Sequence, residues 1–172
     1  METTITPRQQ GVKFGFITGL LVIVLALILY VTDLSFKPGI NYVSYILIFG
    51  GIFMGIKTYR DNELGGFITF GEAFKTGWWT VLILSLLSAA FTYVFVTWIA
   101  PEFIDKIMEM QSMSMYEQGM SDEEIEMAQS MSANFMTPNA MVGWALIGNI
   151  FVGVILNLIA SAILKKNSPE MA

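Results

Sequence analysis

The side chains best placed to do chemistry in this sequence are few and uncharged. Asn149, Asn157 and Ser161 lie in one long apolar run, Pro138 to Leu164. Offsets of eight and four residues rotate successive members by about 80° and 40° around a helix. The three could therefore line a narrow polar track for a small solute or an ion. They could also hydrogen-bond between helices and fix a bundle, which is the preferred reading of amides and hydroxyls in such runs. The other polar candidates in apolar runs are Asn41, Ser44, Ser85, Ser88 and Thr92.

A second chemistry is suggested by sulfur. Met108, Met110, Met113, Met115, Met120, Met127, Met131 and Met136 all fall between Pro101 and Thr137, out of 12 methionines in the chain. Thioethers are soft ligands suited to Cu(I) or Ag(I). Capture needs converging sulfurs, and residues two apart on a helix diverge by about 200°. The MEM and MSM pairs would thus point to opposite faces. Adaptable apolar packing against the bundle, the bilayer or a partner is the simpler use. The same segment holds Glu102, Asp105, Glu109, Glu117, Asp122, Glu123, Glu124 and Glu126 against a single Lys106. It lacks the glycine and alternating ligands of an EF-hand loop, so it reads as solvated helix surface.

What is missing excludes more. There is no cysteine and no histidine. Disulfide scaffolds, zinc-thiolate sites, cysteine nucleophiles and histidine acid–base catalysis are ruled out. No phosphate-binding loop, dinucleotide fingerprint, HExxH or GxSxG occurs. The long apolar runs carry no Asp, Glu, Lys or Arg, which proton relays, voltage sensors and most ion-coupled pumps require at depth. Ser–Lys and aspartyl-dyad catalysis meet the same objection. No catalytic residue, cofactor or metal site is assigned, and an enzyme is not expected. A net charge of −5 also argues against nucleic acid as a partner.

The elements that must carry these residues are membrane helices. Four charge-free stretches are long enough to cross a bilayer, which takes about 20 residues. They place spans at about 14–32, 38–56, 76–100 and 138–164, in a single membrane domain over 1–172. The first is a retained helix rather than a signal peptide, because LYVTD offers no small-residue cleavage site. Arg8, Lys13, Lys57, Arg60, Lys75, Lys165 and Lys166 fall on one side, and only Lys37 and Lys106 on the other. The positive-inside rule puts both termini in the cytoplasm and 101–137 outside it. Trp78, Trp79, Trp98 and Tyr30 sit near span ends, as interfacial aromatics do.

Local signals refine this plan. Gly65-Gly66 breaks the chain after the second span. Thr69 and Glu72 have capping-box spacing, so the third helix starts at Phe70, ahead of the membrane. FITFGEAFKTGWW reads as an amphipathic lead-in rather than a re-entrant gate, with Glu72 and Lys75 placed to pair. In the outer segment one helix should continue from the third span, from about Pro101 to Tyr116, and end near Gly119. A second should start at a Ser121–Glu124 capping box, with Ile125, Ala128, Met131 and Phe135 as its apolar stripe. Gly11, Gly15 and Gly19, and again Gly51 and Gly55, recur every four residues. Such spacing permits close helix approach, within the chain by preference, or across a homodimer.

Together the GVKFGFITGL approach to the first span, the YRDNELGGFITFGEAFKTG turn, the GMSDEEIEMA helix start and the terminal LIASAILKKN resemble a known family. It is the set of bacterial membrane proteins, mainly from Bacteroidota, catalogued as domain of unknown function 4199. The resemblance covers about residues 10 to 166. It implies a four-helix inner-membrane protein, and it supplies no catalytic or binding residue.

The expectation is thus an all-α integral membrane bundle of four transmembrane helices with two short amphipathic helices between the third and fourth. A non-catalytic accessory or interaction role is expected, with the lipid bilayer as surroundings and a protein partner on 101–137. A solute or ion pathway is the alternative, and methionine-based Cu(I) handling a third.

Overall fold

A computed structural model describes residues 5–37 and 39–168. Pro38, the expected start of the second span, and the Asn41 side chain lie outside the described residues. The helices are α1 (Pro7–Val31), α2 (Asn41–Glu63), α3 (Phe70–Val94, prolonged by a π-helical turn Phe95–Ile99), α4 (Phe103–Glu117), α5 (Asp122–Ala133) and α6 (Pro138–Leu164). The only extended pairing among the described residues is one antiparallel bridge, Ile68 to Lys166. Pro7–Val31, Tyr42–Glu63, Phe70–Ile99 and Pro138–Leu164 are long and apolar enough to cross a membrane. The chain is all-α with four candidate spans, as the apolar runs predict.

The helices overrun those runs. α1 begins at Pro7 because Thr6 caps it: the Gln9 amide donates to the Thr6 hydroxyl oxygen (3.2 Å), and the Gln9 side chain accepts from the Thr6 amide (2.9 Å). α2 continues through Lys57 and Arg60 to Glu63, stopping only where Gly65 and Gly66 take positive φ. α3 starts at Phe70 as its capping box requires. Glu72 does not reach forward to Lys75; its carboxylate accepts from the Thr69 amide (3.0 Å) and hydroxyl (2.7 Å). The box uses the carboxylate that the expected ion pair would have needed.

The chain divides into two compact units. One comprises Met1–Ser88 with Ile147–Ala172. Its core gathers Ile48, Ile52, Ile56, Val81, Leu84 and Ala160. Its polarity is inverted relative to a water-soluble bundle. Thr18, Thr76, Thr80, Ser85, Asn157 and Ser161 are buried, while Phe16, Leu20, Val24, Ile46, Phe151 and Ile155 are exposed. Small and weakly polar residues inside with large apolar residues outside is the distribution that packing in lipid selects.

The other unit is Ala89–Leu146. Here the expectation that α3 runs on into the first outer helix fails. The π turn closes with the Ala100 amide donating to the Phe95 carbonyl (2.7 Å), Ala100 leaves helical geometry (φ −141, ψ 66), and α4 starts only at Phe103. Pro101 is the cause. It lacks an N–H and pushes the residue before it out of helical geometry. Phe95 then packs edge-on to Phe103, with ring centroids 5.2 Å apart. α4 ends at Glu117 with Gln118 as its C-cap, and Gly119 just beyond, with φ +82, lets the Met120 amide turn back to the Met115 carbonyl (3.2 Å).

α5 begins at the expected box: the Ser121 amide donates to Glu124 (2.8 Å), and the Glu124 amide to the Ser121 hydroxyl oxygen (3.4 Å). Its apolar stripe is shorter than expected. Ile125 is buried and Ala128 half-buried, but Met131 is exposed, and Phe135 lies past the helix end, also exposed. Asn134 takes over as C-cap, so the helical spacing stops before Phe135.

Candidate functional site

The polar residues of α6 build a joint with α3. Asn157 is fully buried, and its amide Nδ2 donates to the Phe74 carbonyl (3.0 Å). One turn on, the Ser161 hydroxyl donates to Asn157 Oδ1 (3.2 Å). α3 offers glycine at the point of contact. A Cβ on Gly77 would overlap the Asn157 amide oxygen, and a Cβ on Gly153 would stand 2.6 Å from Val81 Cγ1. Two glycines, one on each helix, thus let the backbones close far enough for a side-chain amide to reach a main-chain carbonyl. Asn149 is half-buried, two turns earlier on α6, and is not brought into this cluster. Of the expected three-residue track, the structure therefore joins Asn157 with Ser161 and leaves Asn149 apart.

Other buried hydroxyls are spent on their own helix. Thr76 donates to the Glu72 carbonyl (2.9 Å) and Thr80 to the Thr76 carbonyl (3.2 Å). The Ser85 hydroxyl, wholly buried, finds no partner among the described residues. Thr76 and Thr80 thus bond to backbone carbonyls of α3 itself.

The five glycines singled out by spacing all face other helices of this chain. Those of α1 meet α3: a Cβ at Gly11 would stand 2.5 Å from Trp79 Cβ, at Gly15 2.7 Å from Ile83 Cβ, and at Gly19 2.8 Å from Leu87 Cδ1. Those of α2 meet α1: a Cβ at Gly51 would overlap Thr18, and one at Gly55 would lie 3.1 Å from Phe14 Cβ.

A second cluster, invisible to local sequence reasoning, ties the end of α6 to the turn after α2. Ile68 and Lys166 exchange both backbone hydrogen bonds, each 2.9 Å. Arg60 pairs with Asp61 (2.7 Å) and donates from Nη1 to the Leu164 carbonyl (3.3 Å). A guanidinium there satisfies and neutralises the free carbonyl end of α6. Lys166 Nζ lies 5.1 Å from the Phe67 ring centroid, and the Arg8 guanidinium 4.8 Å from that of Trp79. Residues counted only as inside charges thus also have packing roles.

α4 and α5 carry the remaining candidates. α4 and α5 are joined by a hydrogen bond from the Gln129 side chain to the Ser112 hydroxyl oxygen, and by one from Tyr116 Oη to Asp122 (2.8 Å). That carboxylate raises the Tyr116 pKa, through its hydrogen bond first and its charge second. The Ser121 amide, then its hydroxyl, holds Glu124 below the usual 4.5. Among the described residues no group of three or more His, Cys, Asp or Glu is arranged to hold a metal ion. Met110, Met113, Met127 and Met131 are all exposed.

No curated protein and no solved structure matches the chain. One family does, over residues 13–166, which takes in α1 from Lys13 onward, the whole of α2 to α6 and the Ile68–Lys166 bridge. The chain belongs to that family, described as protein of unknown function (DUF4199).

Proposed function

We propose that this chain is a non-catalytic accessory protein of the bacterial inner, cytoplasmic membrane that binds a protein partner through its 101–137 segment. The observation that carries the reading is the surface of α4 and α5. Met113 is 66% exposed, Met127 and Met131 each 67%, and Tyr116 55%, in a segment rich in acids. Adaptable methionine and aromatic surface ringed by charge is the composition of a protein-binding patch. The lysine and arginine bias supports cytoplasmic termini and an outward-facing segment. Nucleic acid is not a partner in this reading.

The solute-pathway alternative draws less support, because Asn157 already bonds to the Phe74 carbonyl of α3 and Ser161 to Asn157. Native mass spectrometry of the protein gently purified from its own membrane tests the proposal. The wild type should retain a protein partner, and a Met113→Gln, Met127→Gln, Met131→Gln variant should lose it. A bare monomer or homo-oligomer from the wild type, or solute flux in liposomes lost on Asn157→Leu, would overturn it.

A further inference from the structure

One face of the α1–α2 pair lies open beside the seam in which Gly51 meets Thr18. An open apolar groove of about 640 Å³ runs along it, lined by Phe14, Leu21 and Ile28 of α1 and Val43, Leu47 and Met54 of α2. That volume is within the ~300–1,000 Å³ of small-molecule sites. From Phe14 to Ile28 the groove covers about 21 Å of helix at 1.5 Å per residue. One leaflet of a ~30 Å hydrocarbon core is about 15 Å deep, so a single lipid tail fits along the groove. Gly50 lines it too, and nothing lies within 4 Å of where a Cβ would sit there. Unlike Gly51, this glycine is not needed for helix contact; its missing side chain only deepens the groove.

The ends of the groove differ in charge. Beyond Phe14 and Met54 the next charged residues are Lys13 and Lys57, both exposed. Beyond Ile28 and Val43 they are Asp33 and Lys37, which offset each other. Asp61, one turn past Lys57, is already paired with Arg60. One end therefore presents two like charges, and the other none in sum.

We propose that the groove is a specific site for one anionic phospholipid, with an acyl chain against Gly50 and the phosphate between Lys13 and Lys57. A zwitterionic lipid would gain the tail contact but less of the headgroup attraction. The inference is independent of any protein partner of the outer segment.

The test uses the full chain, delipidated in detergent and offered equal amounts of dioleoyl phosphatidylglycerol and dioleoyl phosphatidylcholine. Native mass spectrometry should find a single phosphatidylglycerol adduct favoured by about tenfold. Lys13→Gln with Lys57→Gln should erase that preference while leaving lipid bound. Gly50→Leu fills the groove and should remove the adduct, with helix content unchanged by circular dichroism. Equal retention of the two lipids by the wild type would overturn the site, as would an undiminished adduct on Gly50→Leu. So would a wild-type dimer that Gly50→Leu dissociates, since a second copy would then fill the groove.

Discussion

The same substitution at two glycines should have opposite effects. At Gly15 an added Cβ would stand 2.7 Å from Ile83 Cβ and 2.8 Å from the Thr80 carbonyl oxygen. Both neighbours are fixed to the α3 backbone, so neither can swing aside. Carbon contacts are comfortable at about 3.5–4.0 Å, so α1 and α3 must part by roughly 1 Å at this level. Overpacking of this kind costs about 1–3 kcal/mol. Replacing a helical glycine by alanine returns about 0.8–1.0 kcal/mol of backbone propensity. Gly15→Ala should therefore destabilise by up to about 2 kcal/mol. At Gly50 there is nothing to strike. Gly50→Ala keeps only the propensity gain and should stabilise by up to about 1 kcal/mol. The assay is unfolding in mixed micelles with increasing SDS, followed by far-UV circular dichroism. Propensity cancels in the difference between the variants, which isolates the seam. Equal shifts, or a Gly15→Ala protein more stable than Gly50→Ala, would refute the α1–α3 packing.

The same titration should show Asn157→Ala destabilised by about 0.5–2 kcal/mol, the range of hydrogen bonds between membrane helices, because the amide bond to Phe74 is lost. Ser85→Ala should be neutral in that series, since its hydroxyl has no partner to lose. The lowered Glu124 pKa makes the start of α5 pH-sensitive. The ionised carboxyl supports the helix start above about pH 4.5 and withdraws that support as pH falls through its lowered folded value. Hydrogen-exchange protection of the Ser121–Ile125 amides, taken relative to the intrinsic rate at each pH, should fall on acidification through that window, and Glu124→Gln should flatten the response.

The spans were legible because charge-free length is a physical requirement of crossing lipid, and the sequence has four such lengths. Helix starts were legible wherever a hydroxyl and a carboxylate or amide stand three apart, as at Thr69–Glu72 and Ser121–Glu124. The Thr6–Gln9 box carries the same signal ahead of Pro7, so the early start of α1 could have been read as well. Pro101 likewise announced the break after the π turn. What spacing could not give is the identity of the neighbour. Gly11, Gly15 and Gly19 define a face of α1, but only the folded chain assigns that face to α3. Spacing put Asn157 and Ser161 on successive turns; whether Asn149 joined them depended on where α3 lies. The Arg60–Leu164 contact joins residues 104 apart and has no local signature.

That contact and the Ile68–Lys166 bridge also set an order of assembly. Chains are made from the N-terminus, so α1, α2 and α3 exist before the residues that meet them from α6 have left the ribosome. Until then the Ile68 amide and carbonyl, the Arg60 guanidinium and the cleft at Gly77 wait without their native partners. The last span therefore arrives as a keystone: its amide enters the cleft, and its final turn is locked by an arginine made a hundred or so residues before it. Of the four spans, α6 is the one that completes the bundle.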